Sequence, residues 1–183
     1  LNERISMSYL EAIRKLRIRI MKDVEKKEYQ TLLVTSSIPG EGKTTLSANL
    51  AISIAQQGKK VLLVDCDLRN PSIAGVMNEQ EPHTGLGSVL KKEVPLSAAI
   101  PNVKIPTERT NENGSLHVIF GGAPDRENSL LIGSGRMRAL IKALKSKYDI
   151  IILDTAPSEL LADAPLLGKY VDAALYVIRY DYT

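Results

Sequence analysis

The eleven residues Thr35-Ser36-Ser37-Ile38-Pro39-Gly40-Glu41-Gly42-Lys43-Thr44-Thr45 hold the densest set of chemically suggestive side chains in the chain. Glycines at 40 and 42 let the backbone turn successive N–H groups toward one centre, and a helix opening at Lys43 adds its positive end to that field. Lys43 has the reach to touch the outer phosphates of a bound polyphosphate, and Thr44 can place its hydroxyl on a magnesium ion. Ser37, Pro39, Gly40, Glu41, Gly42, Lys43, Thr44 and Thr45 are therefore candidate phosphate-binding residues. The usual pattern opens on glycine where this chain has Ser37, so the match is near and not complete. A plain turn would account for Pro39-Gly40, but not for Gly-x-Gly-Lys-Thr between an apolar strand and a helix.

Three acids stand at the ends of apolar runs. Val61-Leu62-Leu63-Val64 is followed by Asp65-Cys66-Asp67-Leu68-Arg69, and Ile150-Ile151-Ile152-Leu153 is followed by Asp154-Thr155-Ala156-Pro157. Side chains two apart in an extended strand share a face, so Asp65 and Asp67 face one site if the extension persists. Two readings stand for this pair: turn or capping chemistry, which commonly places Asp at strand ends, or a cation site. Asp154 favours the second, because an apolar strand that buries a carboxylate needs a cation near it. Thr44, Asp65 and Asp154 are the candidate metal residues. Lys43, Asp65, Asp67 and Asp154 are the candidate catalytic ones.

These residues need elements to hold them. Runs rich in Val, Ile and Leu at Thr31 to Thr35, Lys60 to Asp65, Leu116 to Phe120, Ile150 to Leu153 and Ala173 to Arg179 read as strands. Two of them are apolar on both faces, as strands of a sheet covered on both sides are. Helices are expected at about 9 to 27, with Ser8 and Glu11 as a capping box, at Lys43 to Gln57 with Leu46, Leu50 and Ile54 on one face and Gly58 as its stop, at Gly135 to Lys147 and at Glu159 to Tyr170. Alternating strands and helices imply βαβ units, and so a three-layer, doubly wound α/β domain with a mainly parallel sheet. Residues 101 to 115, with Pro101, Pro106, Asn111, Asn113 and Gly114, read as a surface loop. Ligands of such sheets gather at the carboxyl ends of the strands, where all three motifs fall.

Length and composition agree with one domain over 1–183: 183 residues, 44% apolar and 25% charged, is a globular balance. The single cysteine, Cys66, excludes a disulfide framework and a Cys-rich zinc site and fits a reducing compartment. No apolar run approaches the roughly 18 residues of a membrane helix, and no signal-peptide pattern opens the chain. The net charge of +3 is N-terminal in origin, with 8 Lys or Arg against 5 Asp or Glu in residues 1–30. With no tryptophan and few aromatics, a base-stacking surface is absent, so nucleic acid is not an expected partner. Leu1 at the start, and a strand close to Thr183, predict that this is a segment of something longer. His83 and His117 are expected to be surface or packing residues.

Together the three motifs resemble the Walker A, A′ and B elements of bacterial tyrosine kinases, P-loop proteins that accompany capsule and exopolysaccharide export. Asp65-Cys66-Asp67-Leu68-Arg69 is similar to that family's Asp-x-Asp-x-Arg, and Asp154-Thr155-Ala156-Pro157 to its B motif, with Ala156 where proline is usual. Glu11-Ala12-Ile13-Arg14-Lys15-Leu16-Arg17 is similar to the family's Glu-x-x-Arg-x-x-Arg ring-assembly element, which marks Glu11, Arg14 and Arg17. The resemblance implies ATP and Mg2+ as cofactors, phosphoryl transfer to a C-terminal tyrosine cluster and to other tyrosine-containing proteins, and a homo-oligomeric ring, with an octamer among the forms it allows. It also implies a membrane adaptor of the polysaccharide co-polymerase type, and a location in the cytoplasm at the inner face of the membrane. Tyr176, Tyr180 and Tyr182 alternate as on a strand face rather than as in a tail, so the acceptor cluster is expected beyond Thr183. Cell-division and plasmid-partition ATPases share the core but carry a signature lysine where Ile38 stands. Two other readings remain: a nucleotide-switched ring scaffold and a partition-type ATPase.

Overall fold

The computed structural model describes residues 7–26, 29–80, 82–101, 114–158 and 163–180. In chain order the elements are α1 (Met7–Glu25), β1 (Thr31–Ser36), α2 (Lys43–Ala55), β2 (Lys60–Asp65), α3 (Ile73–Val76), α4 (Leu86–Lys91), β3 (Ser115–Ile119), α5 (Gly135–Lys145), β4 (Ile150–Asp154), α6 (Asp163–Leu167) and β5 (Ala173–Val177), with short 3-10 turns at Leu96–Ala98 and Asn128–Gly133. The strands form one parallel sheet in the order β3-β2-β4-β1-β5. This is the doubly wound α/β fold expected from the sequence.

Alternation along each strand builds two cores. Leu32, Val34, Val61, Leu63, Ile150 and Ile152 point to the face covered by α1, α2 and α3, while Leu33, Leu62, Val64, Ile151 and Leu153 point to the face covered by α4, α5 and α6. Leu50, Leu62, Leu63 and Ile152 are fully enclosed. Burial of a side chain of that size contributes about 1.5–3 kcal/mol.

Some boundaries differ from the sequence expectation. α2 is buried nearly all round, because α1 packs over its outer side, where Arg17 of α1 meets Ser53 of α2. Its apolar stripe is therefore wider than Leu46, Leu50 and Ile54. Ser8 lies inside α1 and is not its cap, and Glu11 instead meets Arg14 at 3.8 Å. β5 ends at Val177 rather than Arg179, and β3 ends at Ile119, where the Phe120 carbonyl turns to accept from Leu86 N. The helices α3 and α4 are four and six residues long, too short to show a period in the sequence. Most of the loop expected at 101 to 115, the start of the helix expected at Glu159, and Tyr182 lie outside the described residues.

Candidate active site

The strands run in parallel and in register, so their carboxyl ends meet at one edge. Val34 and Asp65 both pair with Asp154, from opposite sides of β4. Beyond that level the chains stay tied together: Thr155 donates from N and Oγ1 to Val34 O at 3.1 and 3.0 Å, Cys66 N to Asp154 O at 2.8 Å, and Ser158 N to Ser36 O at 2.8 Å. The three sequence motifs thus share one rigid floor.

From this floor the chain leaves β1 into the glycine loop. Gly40 and Gly42 hold φ of 85° and 87°, and a Cβ on either would meet nothing within 4 Å. Their glycine requirement is therefore conformational rather than steric. Gly42 is also the N-cap of α2 and supplies no side-chain oxygen to the first turn, whereas Ser134 caps α5 by accepting from Met137 N. A thirteen-residue helix that leaves its first N–H groups without a side-chain acceptor, beside open space at Gly40 and Gly42, offers those groups to an anion. Glu41, by contrast, turns its carboxylate inward, where Oε2 accepts from Ile38 N at 3.1 Å.

The acids behave differently from one another. Asp154 is wholly buried, with Oδ1 accepting from Ser47 Oγ at 2.9 Å and Oδ2 without a hydrogen-bond partner. Burial lifts its pKa to about 6 despite the opposing pull of the Thr44 and Ser47 hydroxyls and of Lys43. Asp65, equally buried, is lifted to about 7 by burial and by Asp154. Its carboxylate accepts from the backbone N–H groups of Asp67, Ser72 and Ile73 at 3.1, 2.9 and 3.0 Å. Asp67 lies outside β2, which ends at Asp65. The chain turns at Leu68 and Arg69, and Asp67 Oδ1 accepts from Asn70 N at 3.1 Å. Burial also raises the Asp67 pKa, against the Asn70 N–H and the charge of Lys43. The turn reading of this pair is realised, since both carboxylates order their own loop, and Asp67 also feels the charge of Lys43.

A cation fits here. The unpartnered Asp154 Oδ2, the mutual repulsion of Asp65 and Asp154, and the Thr44 hydroxyl, 3.1 Å from Ser72 Oγ, form an oxygen-lined spot with excess negative charge. No group of three His, Cys, Asp or Glu surrounds a single ion among the described residues. That suits magnesium, which takes one or two protein carboxylates and completes its shell with waters and substrate phosphates. A recess of about 610 Å³ lies at the opposite edge of the sheet, between Val24, Tyr29, Gln30 and Lys145. Its lysines pair with its own rim, Lys145 with Asp172 and Lys59 with Glu25. It is not the site.

Comparison with known proteins agrees with this geometry. The AAA domain family model matches residues 30–171. The tyrosine-protein kinase YwqD of Bacillus subtilis is 38% identical over 152 residues, which is 83% of this chain and 60% of that protein. The kinase domain of Escherichia coli tyrosine kinase ETK superposes with a TM-score of 0.85 at 31% identity, over 96% of this chain and 66% of that one. The chain belongs to the bacterial tyrosine kinases. A more distant structure, the septum site-determining protein MinD of Pyrococcus horikoshii with Mg-ADP, superposes with a TM-score of 0.65 at 30% identity, over 81% of this chain and 57% of that one. This member of the kinase family spans about 60% of the Bacillus relative's length. No helix among its described residues is long and apolar enough to cross a membrane.

Two further findings concern residues of this kinase-family chain. Arg17 turns inward, its Nη1 donating to Ser53 Oγ at 3.0 Å and to Ser53 O at 3.3 Å, so it fastens α1 to α2. Glu11 and Arg14 stay on the surface. Asp163, which the sequence reading did not single out, is buried at the start of α6 with Oδ2 unpartnered, and it feels the charges of Arg69 and Asp67. Its only sequence signal was an acid among the apolar residues Leu160, Leu161, Ala162, Ala164 and Leu166.

Proposed function

We propose that the chain is the catalytic domain of an ATP-dependent protein tyrosine kinase. The observation that carries this reading is the convergence, at one sheet edge, of an uncapped helix start, Lys43 and a buried carboxylate with one oxygen unpartnered. Phosphoryl transfer asks chiefly for positioning and charge neutralisation, which such an edge supplies. The backbone N–H groups from Gly40 through Thr45, with the Lys43 ammonium, hold the β and γ phosphates. Magnesium, held by Thr44 and Asp154 with Asp65 beside them, would neutralise charge on the transferring group.

The tyrosine oxygen attacks the γ phosphorus as the bond to the β-phosphate oxygen breaks, and the phenolic proton passes to Asp67. With a phenol near pKa 10 and an ordinary aspartate near 3.9, complete transfer before attack is uphill by about 8 kcal/mol. Burial of Asp67 narrows that gap without closing it. Asp67 therefore orients the hydroxyl first and collects the proton late.

On this reading the acceptors are a tyrosine cluster C-terminal to Thr183, in a neighbouring subunit of a ring, and proteins of capsule and exopolysaccharide synthesis and export. Glu11 and Arg14 contribute to that ring, and a polysaccharide co-polymerase adaptor holds it at the inner face of the membrane. The test is phosphotyrosine formation by the full-length protein with ATP and magnesium. Lys43→Met is expected to abolish it while leaving the thermal midpoint within about 2 °C of the parent, because Lys43 is only partly buried. Rings that bind ATP but never phosphorylate tyrosine would replace this reading by that of a nucleotide-switched scaffold. Hydrolysis to water stimulated by another macromolecule would replace it by that of a partition-type ATPase.

A further inference from the structure

The phosphate loop is held from outside at the place where it departs from the usual pattern. Ser37 stands where glycine is usual, and its hydroxyl lies 2.9 Å from the phenol oxygen of Tyr176 on β5. That phenol oxygen is also 3.2 Å from the hydroxyl of Ser158, which in turn donates to Ser36 O at 3.1 Å. Just past the end of β5, the backbone N–H of Arg179 donates to Glu41 Oε1 at 3.1 Å. The other Glu41 oxygen is the one that accepts from Ile38 N, and the residue is 6% exposed. The two attachments fall on either side of Pro39 and Gly40, one at the start of the loop and one between its glycines.

We propose that the end of β5 is a positioning element for the nucleotide, with Tyr176 and Glu41 as positioning residues that hold the Ser37–Gly42 loop in its phosphate-binding shape. The inference rests on the phosphate-loop reading above and adds residues from outside the loop to it. Gly40 and Gly42 give the loop the freedom to aim its amides, but the same freedom populates shapes that aim them elsewhere. Apparent affinity falls in proportion to the fraction of loops in the competent shape. A tether at each side of the turn raises that fraction without touching phosphate. The Glu41 carboxylate acts here as a double acceptor for two backbone N–H groups. Glutamine has one acceptor oxygen and sets an NH2 group against the second N–H. Phenylalanine at 176 keeps the ring and deletes only the bridging hydroxyl.

Mant-ATP binding by the 183-residue chain with magnesium tests this, read alongside the nucleotide-free thermal midpoint. Loss of one net hydrogen bond corresponds to about 2- to 12-fold in binding. Tyr176→Phe is expected to weaken binding about 3- to 10-fold with a nucleotide-free midpoint within about 2 °C of the parent, and Glu41→Gln to weaken it at least as much. Turnover at saturating ATP, whether transfer or hydrolysis, should stay within about twofold of the parent for Tyr176→Phe. Should Tyr176→Phe bind within about 1.5-fold of the parent, or lose affinity only together with its midpoint, the positioning role is overturned. A parent chain that itself fails to bind mant-ATP overturns the phosphate-loop reading and this inference with it. Tyr176→Phe alone decides the matter if Glu41→Gln does not fold.

Discussion

At the residue scale, Asp154 and Asp65 are two carboxylates that fold into contact with each other's field. Each binds its proton more tightly in the folded chain than in the unfolded one, with folded values of about 6 and about 7 against an ordinary 3.8. The stability they confer is therefore fully present below about pH 4 and is lost as pH rises through 6 and 7. Ser47 softens that loss by donating to Asp154 Oδ1 at 2.9 Å. Ser47→Ala in the metal-free chain should be destabilised by about 1–3 kcal/mol at pH 8 and by clearly less at pH 5, where Asp154 is protonated. Urea unfolding at the two pH values measures this, and equal losses at both would contradict it. Lys43, Thr44 and Asp154 were legible in the sequence because their spacing from apolar strands is distinctive. Ser47, Ser72 and Tyr176 were not, since a hydroxyl gains meaning only from its partner, and Asp154 sits more than a hundred positions from Ser47.

At the element scale, the far edge of the sheet is tied by a charge rather than by a ligand. Asp172, just before β5, accepts from Gln30 N, Thr31 N and Thr31 Oγ1 at 2.9, 2.9 and 2.8 Å and meets Lys145 of α5 at 2.7 Å. Burial alone would raise its pKa, but Lys145 and these donors hold it down at about 2. A depressed carboxylate contributes stability above its unfolded value that disappears as pH falls from about 4 to 2. Because Asp172 is partly solvated, the full shift is discounted. Asp172→Asn should be less stable than the parent by about 1–2 kcal/mol at pH 7 and indistinguishable from it near pH 2, by chemical denaturation. Elements were as legible as their length allowed. β2 and β4 announced themselves by apolar runs, and α2 by its glycine boundaries, whereas the wide burial of α2 depends on α1 lying over it, a tertiary fact absent from its own period.

At the scale of the whole molecule, α1 divides its Glu-x-x-Arg-x-x-Arg stretch between an inward and an outward face. Arg17 binds Ser53 within the chain, while Arg14 and Glu11 remain exposed near the uncovered Leu10 and Ile18. Arg14→Glu should shift sedimentation of the full-length protein toward monomer with an unchanged thermal midpoint, and Arg17→Ala should lower the midpoint by a few degrees. If Arg17→Ala leaves the midpoint untouched, its tie to α2 is not what it contributes. The sheet order has a consequence for biogenesis. β4 follows β1, β2 and β3 in the chain, yet it wedges between β1 and β2, so those two have no common neighbour until residues 150–154 have left the ribosome and inserted. A nascent chain halted before that point carries the glycine loop and Asp65 with nothing to align them, and ATP affinity should switch on in a single late step of translation.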